Sequence, residues 1–485
     1  MELLPPAVDL IEGRRQVPTR ILTGTLDDPN TGLSLQPRLA TAAADVERAI
    51  AAAHAVHLSR SWADLGVEGR AEALLSLAEE LADRAGRLAL AEAVNTGTVI
   101  ALTTPITQGC SDQVRGLVAQ LRVTGTVQEL PGRGRGGPVR LRRDPWGPAA
   151  VLAPWNAPAP IAVGRSAAAL AAGCPVILKP SEWAPGSCDL LADAVVAAGL
   201  PDGVFQLVHG AGDVGAQLTR DERIRAIALT GGQATGRSIA AAAAPHFTRL
   251  QLELGGNNPV IVREDADLAL TARALARGMT ILNGQWCEGP GRVFVPVRLH
   301  DALVEALLTE LSAVVIGPST EPGSAMGPIA HRAHRAHLLG RIDALTAAGG
   351  RALTATTELP DRGWFLAPTV VVGVDSAQAM AEVFGPVVTL HPVHDDAQAL
   401  AEANACPDGL AGYVFGTDTG AALALGERLR GGEIKVNGTS LFDLTAASHQ
   451  SFWGTSGHGG HGDGEALEFF RGNRIVGVDD PDAPV

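Results

Sequence analysis

Cysteine is scarce in this sequence, and its apolar runs are short. The five cysteines show no paired spacing, so we predict neither a disulfide framework nor a zinc site, and we expect a reduced, cytoplasmic setting. No apolar run is long enough to span a membrane. The N-terminus lacks a basic stretch followed by an apolar one, so a signal peptide is not expected either.

Positive charge is also in short supply. The chain has 38 lysines and arginines against 52 aspartates and glutamates, which gives a net charge of −14. An acidic surface repels nucleic acids and anionic membranes, so neither is expected as a partner. The only lysines are Lys179 and Lys435. Because arginine is the usual basic residue of this chain, the lysine kept at position 179 indicates a specific role there.

The abundant residues indicate a large α/β protein. Of the 485 residues 46% are hydrophobic, and 57 glycines and 31 prolines imply many tight connections. Short apolar strands alternate with helices from residue 149 onward, and a second alternation runs from Val260 to about Val436. This pattern predicts mainly parallel sheets with helices on both faces, whose ligands bind at the carboxyl ends of the strands. The strands predicted in the first alternation cover residues 149–152, 175–178, 203–208 and 224–229.

One cysteine, Cys287, lies in a glycine-rich run over residues 283–292. Glycines let the backbone approach a ligand closely, and a thiolate is a strong nucleophile, although an isolated cysteine is more often buried and inert. Two upstream segments change that balance: Glu253 lies in Leu-Glu-Leu-Gly-Gly, and Asn156 lies in Pro-Trp-Asn. In this order, the three segments resemble the motifs of the aldehyde dehydrogenase superfamily. The resemblance extends over nearly the whole chain.

The resemblance implies an α/β fold with three parts. They are a Rossmann-like cofactor domain over residues 1–123 and 145–254, an α/β catalytic domain over 255–445, and an oligomerisation arm over 124–144 and 471–485. The arm contains a predicted β-hairpin, whose exposed edge would be satisfied by a strand of another subunit. A homodimer or homotetramer is therefore expected. The alternative for the hairpin is a solvated loop with a basic run.

The resemblance also assigns chemical roles. Cys287 would attack an aldehyde to form a thiohemiacetal, while the Asn156 side chain and the Cys287 backbone N–H stabilise the oxyanion. Oxidation by NAD would leave a thioester, which water activated by Glu253 would hydrolyse to a carboxylic acid. Relatives that pass the acyl group to coenzyme A typically lack this glutamate, so acyl transfer is the first alternative. An inactive scaffold relative is the second.

Two glycine-rich turns are candidates for cofactor binding. The run Gly210–Gly215 follows a strand and spells G-x-G-x-x-G, but no acidic residue is clearly placed about 20 residues later, and the resemblance puts this turn beside the adenine. The better candidate for the phosphates is the turn 230–236, where Gly232 stands in place of the family's usual serine. Glu182 would bind the ribose hydroxyls and repel a 2′-phosphate, which favours NAD over NADP, although Lys179 could partly tolerate a phosphate. The residues expected to contact the cofactor are Pro154, Trp155, Lys179, Ser181, Glu182, Gly212, Gly215, Thr230, Gly231, Gly232, Leu254, Gly255, Glu382 and Phe384.

Two further departures from the family pattern lie at the residue after Cys287 and in the C-terminal run 452–460. Glu288 follows the cysteine directly, where small or apolar residues are usual. Its carboxylate should raise the pKa of the Cys287 thiol unless the side chain points outward, which we favour, or meets a cationic group on the substrate. The run 452–460 lacks the family's usual lysine and is rich in glycine and histidine, so a flexible loop is predicted, with no metal ligated by His458 or His461.

Small residues after Asn156 predict a wide substrate tunnel. Its predicted lining includes three aromatic residues, for which ordinary core packing is the alternative. A bulky apolar or aromatic aldehyde is therefore the expected substrate. The predicted lining residues are Ala157, Ile161, Trp286, Glu288, Phe442 and Trp453.

Overall fold

The computed structural model describes residues 3–133, 136–355, 358–445, 447–462 and 464–480. Residues 1–2, 134–135, 356–357 and 481–485, which belong to the predicted domain and arm ranges, lie outside the described residues. Within the described part of the chain, no helix is long and apolar enough to cross a membrane. The elements from the N-terminus to residue 145 are β1 (Asp9–Ile11), β2 (Arg14–Gln16), β3 (Arg20–Asp27), β4 (Ser34–Ala40), α1 (Ala43–Ser59), α2 (Gly66–Thr96), α3 (Ile100–Thr124), β5 (Val127–Leu130) and β6 (Val139–Pro145).

The first large sheet contains the predicted alternation of strands and helices. Its strand order is β2-β1-β9-β8-β7-β10-β11-β22, where β22 covers Gly457–His458, and β9, β8, β7, β10 and β11 run parallel. The strands predicted over residues 149–152, 175–178, 203–208 and 224–229 appear as β7 to β10. The elements are β7 (Ala149–Leu152), α4 (Pro158–Ala172), β8 (Val176–Lys179), α5 (Gly186–Ala197), β9 (Phe205–Leu207), α6 (Gly212–Arg220), β10 (Ala226–Gly231), α7 (Gln233–Ala243) and β11 (Arg249–Leu254).

Helices cover both faces of this sheet. Alternate residues of a strand point to opposite faces, so Val151 packs with helices α2 to α5, whereas Ala150 packs with α1, α6 and α7. Because neither face meets water, the central strands β7, β8 and β10 are apolar along most of their length. Their carboxyl ends share one edge of the sheet, as predicted for a ligand site.

The second large sheet begins directly after β11. Its order is β14-β15-β16-β13-β12-β18-β19, with β14 antiparallel to its neighbour and the others parallel. Helices α8 and α9 cover one face, and α11 and α12 the other. The elements are β12 (Asn258–Val262), α8 (Leu268–Thr280), β13 (Pro290–Pro296), α9 (Val297–Ser312), α10 (Arg332–Ala347), β14 (Arg351–Thr354), β15 (Thr369–Val372), β16 (Val387–Val393), α11 (Asp396–Asn404), β17 (Asp408–Gly409), β18 (Ala411–Phe415), α12 (Thr419–Gly426) and β19 (Glu433–Val436).

The C-terminal segment returns to the first sheet. The run predicted to be a flexible loop instead contains short paired strands, so that prediction is wrong. Glycines at residues 457 and 460 bring this segment against β11 and β20, where a Cβ atom would collide with backbone oxygens. The elements are β20 (His449–Ser451), β21 (Trp453–Gly454), β22 (Gly457–His458), β23 (Gly460–Gly462), α13 (Glu465–Glu468) and β24 (Arg471–Gly477).

A separate three-stranded sheet has the order β24-β6-β5. The predicted hairpin appears as β5 and β6, and β24 pairs antiparallel with β6 along its whole length. This sheet presents apolar side chains to solvent, among them Val127, Ile475 and Val476. Both of its outer strands therefore combine free backbone groups with exposed apolar surface.

Candidate active site

The Cys287 loop connects α8 to β13 and is fixed by buried amide side chains. The Asn283 side chain donates to the Pro328 carbonyl at 2.9 Å and accepts from the Gly327 N–H at 2.8 Å. The Gln285 side chain accepts from the Ala330 N–H at 3.0 Å. These bonds tie the loop to the segment before α10, so the cysteine is presented by a rigid backbone.

The structure brings the three predicted catalytic residues together. Glu253 lies near the end of β11, and its Oε1 is 3.5 Å from the Cys287 Sγ, with the thiol as donor. Asn156 follows β7, and its side-chain amide donates to the carbonyl of Gln285 at 2.9 Å. An amide carries two N–H donors, so one remains for a ligand. The cysteine thus sits between the carboxyl edge of the first sheet and the start of the second.

Sequence reasoning missed one residue that shapes this loop. Asn258, at the start of β12, donates to the carbonyls of Cys287 at 2.8 Å and Gly289 at 2.9 Å. Both carbonyls therefore turn toward β12. The available signal was the second asparagine of the Gly-Gly-Asn-Asn run that follows Glu253.

Positive and neutral donors surround the Glu253 carboxylate. Arg165 on α4 lies 2.9 Å from Oε2, the Thr230 hydroxyl donates to it at 3.2 Å, and His461 Nδ1 lies 3.6 Å away. Burial raises the pKa of Glu253, but the hydrogen bond and charge of His461 and the charge of Arg165 outweigh it and hold this pKa well below its ordinary value. Glu253 is therefore ionised.

The pKa of the Cys287 thiol is shifted in the opposite direction. Burial raises its pKa well above the ordinary value, and the negative charges of Glu253 and Glu288 raise it further. The thiol is consequently protonated, and its hydrogen is directed at Glu253. Only the ionised fraction of Cys287 can attack a substrate, and the charge of Glu253 limits that fraction.

Glu288 is not directed outward, so the favoured prediction for it is wrong. Its side chain is buried, lies 3.5 Å from the Lys435 ammonium, and accepts from the Gln450 amide at 3.1 Å. The Tyr413 hydroxyl binds the Glu288 carbonyl, which fixes the backbone so that the side chain points inward. Its charge nevertheless raises the pKa of the Cys287 thiol, which is the direction predicted from the sequence.

A cavity of about 390 Å³ opens onto Glu253 between α3, α4 and the C-terminal segment. Ile161 lines it, as predicted. Five polar lining residues were missed, although Arg165 lies one helical turn after Ile161 and so on the same face of α4. These missed residues are Gln113, Gln120, Arg165, Asp443 and His461.

The other predicted lining residues lie elsewhere. Ala157 caps the N-terminus of α4, and Trp286 is buried with its indole N–H donating to the Gly278 carbonyl at 2.8 Å. Phe442 and Trp453 are 70% and 56% exposed. Trp453 belongs to β21, which pairs with β17. The single chain therefore does not bring these two aromatic side chains to the cavity.

Several predicted cofactor residues follow the carboxyl ends of β8 and β10. Gly232 caps α7 without a side-chain hydrogen bond, and a Cβ atom there would meet nothing within 4 Å, so the first N–H groups of α7 face open space. Gly212 begins α6 in similarly open surroundings. Burial lowers the pKa of Lys179, which lies under Gly215. These features suit the phosphates and ribose of a dinucleotide.

The remaining cofactor residues surround the glycines between the two large sheets. The Gly256 N–H donates to Glu382 Oε1 at 3.2 Å, and a Cβ atom at Gly255 would collide with this carboxylate. Burial, then the charge of Asp408, raises the pKa of Glu382 to about 8. This partly buried carboxyl group has room only because position 255 is glycine.

Phe384 and Trp155 form the wall beside Glu382. Phe384 has a left-handed backbone (φ 52°), and its carbonyl accepts from His334 Nε2 at 2.9 Å. The Trp155 ring packs on both Phe384 and His334. Other predicted residues make contacts within the protein: Pro154 and Leu254 are buried, Ser181 accepts from the Trp183 N–H, and Thr230, just before Gly231, binds Glu253.

Comparison with known proteins agrees with this arrangement. The model of the aldehyde dehydrogenase family matches residues 26–476. A geranial dehydrogenase of Castellaniella defragrans is 33% identical over 81% of this chain and 83% of that protein, and a betaine aldehyde dehydrogenase of Cereibacter sphaeroides is 32% identical over 92% of each chain. The crystal structure of a Staphylococcus aureus betaine aldehyde dehydrogenase with NAD+ superposes with a TM-score of 0.92 at 26% identity, over 99% of this chain and 96% of that one.

Proposed function

Because the chain belongs to the aldehyde dehydrogenase family, we propose that it oxidises an aldehyde to a carboxylic acid with NAD as cofactor. The observation that carries this proposal is the placement of the Cys287 thiol 3.5 Å from the ionised Glu253. A nucleophile and a base at this distance can first form and then hydrolyse a thioester. Bound NAD supplies the hydride acceptor.

The acylation step uses groups that are already in position. Cys287 reacts as its thiolate: the thiol proton leaves to solvent, and Sγ bonds to the aldehyde carbon. The second N–H of the Asn156 amide and the Cys287 backbone N–H then stabilise the oxyanion, and donors of this kind contribute roughly 3 kcal/mol each. Asn156 is oriented for this role because its first N–H is held by the carbonyl of Gln285.

Glu253 also directs the fate of the thioester. Its carboxylate lies 3.5 Å from the sulfur, and it lines a cavity large enough to hold water. Hydrolysis therefore competes favourably with acyl transfer to coenzyme A. The proposed acid product follows from this placement.

The cavity supports a bulky aldehyde as the substrate. Its volume of about 390 Å³ accommodates a branched or ring-containing hydrocarbon, with Leu117, Pro160 and Ile161 as apolar contacts. Geranial, the substrate named for one relative, is of this class. Replacement of Ile161 by Trp should raise KM for aromatic aldehydes more than for acetaldehyde, because the larger ring narrows the cavity.

The fold supports the proposed division of the chain into a cofactor domain, a catalytic domain and an oligomerisation arm. Residues 1–123 and 145–254 form the cofactor domain, 255–445 the catalytic domain, and 124–144 with 471–485 the oligomerisation arm. The arm would pair with another subunit in a homodimer or homotetramer, because its outer strands carry exposed apolar side chains. A cytoplasmic location is consistent with the few, unpaired cysteines.

NADH formation tests this function directly. The absorbance of NADH would be followed with short, branched, aromatic and amino aldehydes, and with NAD or NADP. Wild type should produce NADH and free acid, Cys287→Ala should produce neither, and Cys406→Ala, a change at a buried cysteine outside this site, should behave as wild type. An acyl-CoA product, or NADH formation that survives in Cys287→Ala, would contradict the proposal.

A further inference from the structure

The cavity wall next to the Cys287 loop brings three metal-ligating side chains together. One atom from each of Glu288, Asp443 and His461 lies within 4.8 Å of the other two. Glu288 belongs to the Cys287 loop, Asp443 follows β19, and His461 is on β23, so only the fold unites them. Asp443 and His461 also line the cavity that opens onto Glu253. No metal was expected at His461 from the sequence, because these partners lie far from it along the chain.

The imidazole of His461 is oriented as a metal ligand would be. Its Nδ1 faces the Glu253 carboxylate, 3.6 Å from Oε2, and its Nε2 is contacted by the Gln450 amide nitrogen. An amide nitrogen only donates, so in the neutral ring Nε2 has a lone pair and Nδ1 carries the proton. Metal-binding histidines usually donate their other ring N–H to a carboxylate, which fixes the ring. Glu253 has this position relative to His461.

Gln450 lies between two of the ligand atoms. Its amide nitrogen, the positive end of the amide group, donates to Glu288 at 3.1 Å and contacts His461 Nε2. The Gln450 side chain is 7% exposed, and its Oε1 atom has no hydrogen-bond partner within the described part of the chain. A buried polar atom without a partner is rare in folded proteins and calls for an explanation such as a bound ion. Rotation of the amide by half a turn would exchange its nitrogen for this oxygen, which would then be a fourth ligand.

The fixed charges around His461 do not cancel. Arg165 forms an ion pair with one carboxylate at 2.9 Å, and Lys435 lies 2.8 Å and 3.5 Å from two others. A fourth carboxylate, that of Asp443, forms no ion pair with a described residue. A histidine that binds a metal is neutral, so four carboxylates then face two cations and leave two negative charges. One divalent cation would balance them. The four carboxylates are Glu253, Glu288, Glu433 and Asp443.

We propose that Glu288, Asp443 and His461 bind a zinc ion at this wall of the cavity, with the Gln450 amide oxygen as the fourth ligand. The site goes beyond the proposed function and does not depend on it. Zinc takes imidazole nitrogen and carboxylate oxygen in a four-coordinate arrangement, whereas Mg²⁺ and Ca²⁺ prefer oxygen alone. The histidine in the set therefore favours zinc.

The ligand atoms need only a small adjustment to bind zinc. Ligands of a tetrahedral zinc ion lie about 3.4 Å from one another, and the three atoms already lie within 4.8 Å. Asp443 is exposed, so its side chain can make this movement. A bound ion would connect the Cys287 loop, the segment after β19 and β23, and it should therefore stabilise the folded chain.

Zinc binding is best measured where the catalytic thiol cannot contribute. Full-length Cys287→Ala without an affinity tag would be titrated with ZnCl2 by calorimetry, and X-ray absorption would identify the atoms bound to the zinc. Three further substitutions would be added to this variant: Asp443→Asn, His461→Ala and, as the matched control, His449→Asn, an exposed histidine on the strand that pairs with β23. Thermal unfolding of each variant establishes that it is folded. Asp443→Asn keeps the test decisive if His461→Ala does not fold, because Asp443 is exposed.

We expect one Zn²⁺ per chain in Cys287→Ala, a Tm that rises with Zn²⁺, and nitrogen and oxygen ligands at about 2.0–2.1 Å without sulfur at about 2.3 Å. Asp443→Asn and His461→Ala should each weaken binding by at least about tenfold, the smallest loss seen when even an outer partner of a metal ligand is removed. His449→Asn should bind zinc as its parent does.

Three results would overturn the zinc site. They are no saturable binding in Cys287→Ala, unchanged affinity in either folded ligand variant, and a loss of similar size in His449→Asn. The first of these, with zinc bound by wild type, would show that zinc binds the catalytic thiol instead. None of them touches the proposed function, which NADH formation tests in the absence of added zinc.

Discussion

Replacement of Glu253 by Gln should change the two halves of the reaction in opposite directions. The substitution keeps the size of the side chain and its capacity to accept the Thr230 hydrogen bond, but it removes the negative charge. Two unit charges 3.5 Å apart repel by about 5 kcal/mol at an effective dielectric constant of about 20. In wild type, this repulsion opposes ionisation of the Cys287 thiol. Hydrolysis, in contrast, depends on the carboxylate as its base.

Neighbouring charges reduce the expected increase in the Cys287 thiolate population of Glu253→Gln, but they do not reverse it. In wild type, Arg165 and His461 offset part of the Glu253 charge. In the variant Arg165 keeps its bond to Gln251 at 2.6 Å, so its positive charge stays in the site without a carboxylate partner. If only about 1.4 kcal/mol of the repulsion is relieved, the thiolate population increases about tenfold.

Alkylation by iodoacetamide measures this population. At mildly alkaline pH, Cys287 in Glu253→Gln should react at least about tenfold faster than in wild type. When Cys287 of the same variant is acetylated with p-nitrophenyl acetate, the acetyl-enzyme should be hydrolysed about 10² to 10⁴ times more slowly than that of wild type. Peptide mapping assigns the adduct, and Glu253→Gln combined with Cys287→Ser corrects for the buried cysteines. Unchanged or slower alkylation in a folded variant would refute the electrostatic reasoning.

Three other predictions concern binding, catalysis and stability. Asn156→Ala should lower kcat for NADH formation by about 10² to 10³, because one oxyanion donor is lost; an unchanged kcat would exclude that role. Glu182→Gln should raise the ratio of kcat/KM for NADP to that for NAD by roughly tenfold, because repulsion of a 2′-phosphate is removed, and a constant ratio would count against this contact. Burial lowers the pKa of His209, but Asp189 and Asp9 outweigh burial and raise this pKa to about 9. The charged imidazole therefore contributes up to about 3 kcal/mol to the free energy of unfolding below pH 6.5, and this contribution is lost as pH rises through 9. Denaturant unfolding over this range should show that loss in wild type and a flatter profile in His209→Gln.

Residues adjacent in sequence carried most of the correct predictions. The strands of the first sheet were predictable because strands buried on both faces form short, continuous apolar runs. Asn156, Glu253 and Cys287, which the structure brings together, could be grouped from the sequence because each lies in a short segment that resembles a family motif. The open surroundings of Gly232 were expected for the same reason, since a glycine at a strand–helix turn leaves backbone donors accessible.

Contacts between distant residues explain what the sequence did not show. The direction of Glu288 depends on Lys435 and Tyr413, which reach it from β19 and β18. His461 meets Glu253 because β22 pairs with β11 and β23 packs beside it. A glycine-rich run carries little periodicity, so nothing local distinguishes such strands from a loop.

The sequence by itself determined the parallel sheets, the family, and which residues are proposed as nucleophile and base, because these depend on local patterns and on residue types that chemistry requires. Tertiary structure alone decided that Glu288 is buried, that Phe442 and Trp453 lie outside the cavity, and that polar groups line its wall. Those outcomes depend on which side chains are opposed when two sheets and a C-terminal segment converge. Strand pairing between segments hundreds of residues apart sets which side chains face one another, and no short stretch of the chain encodes that pairing.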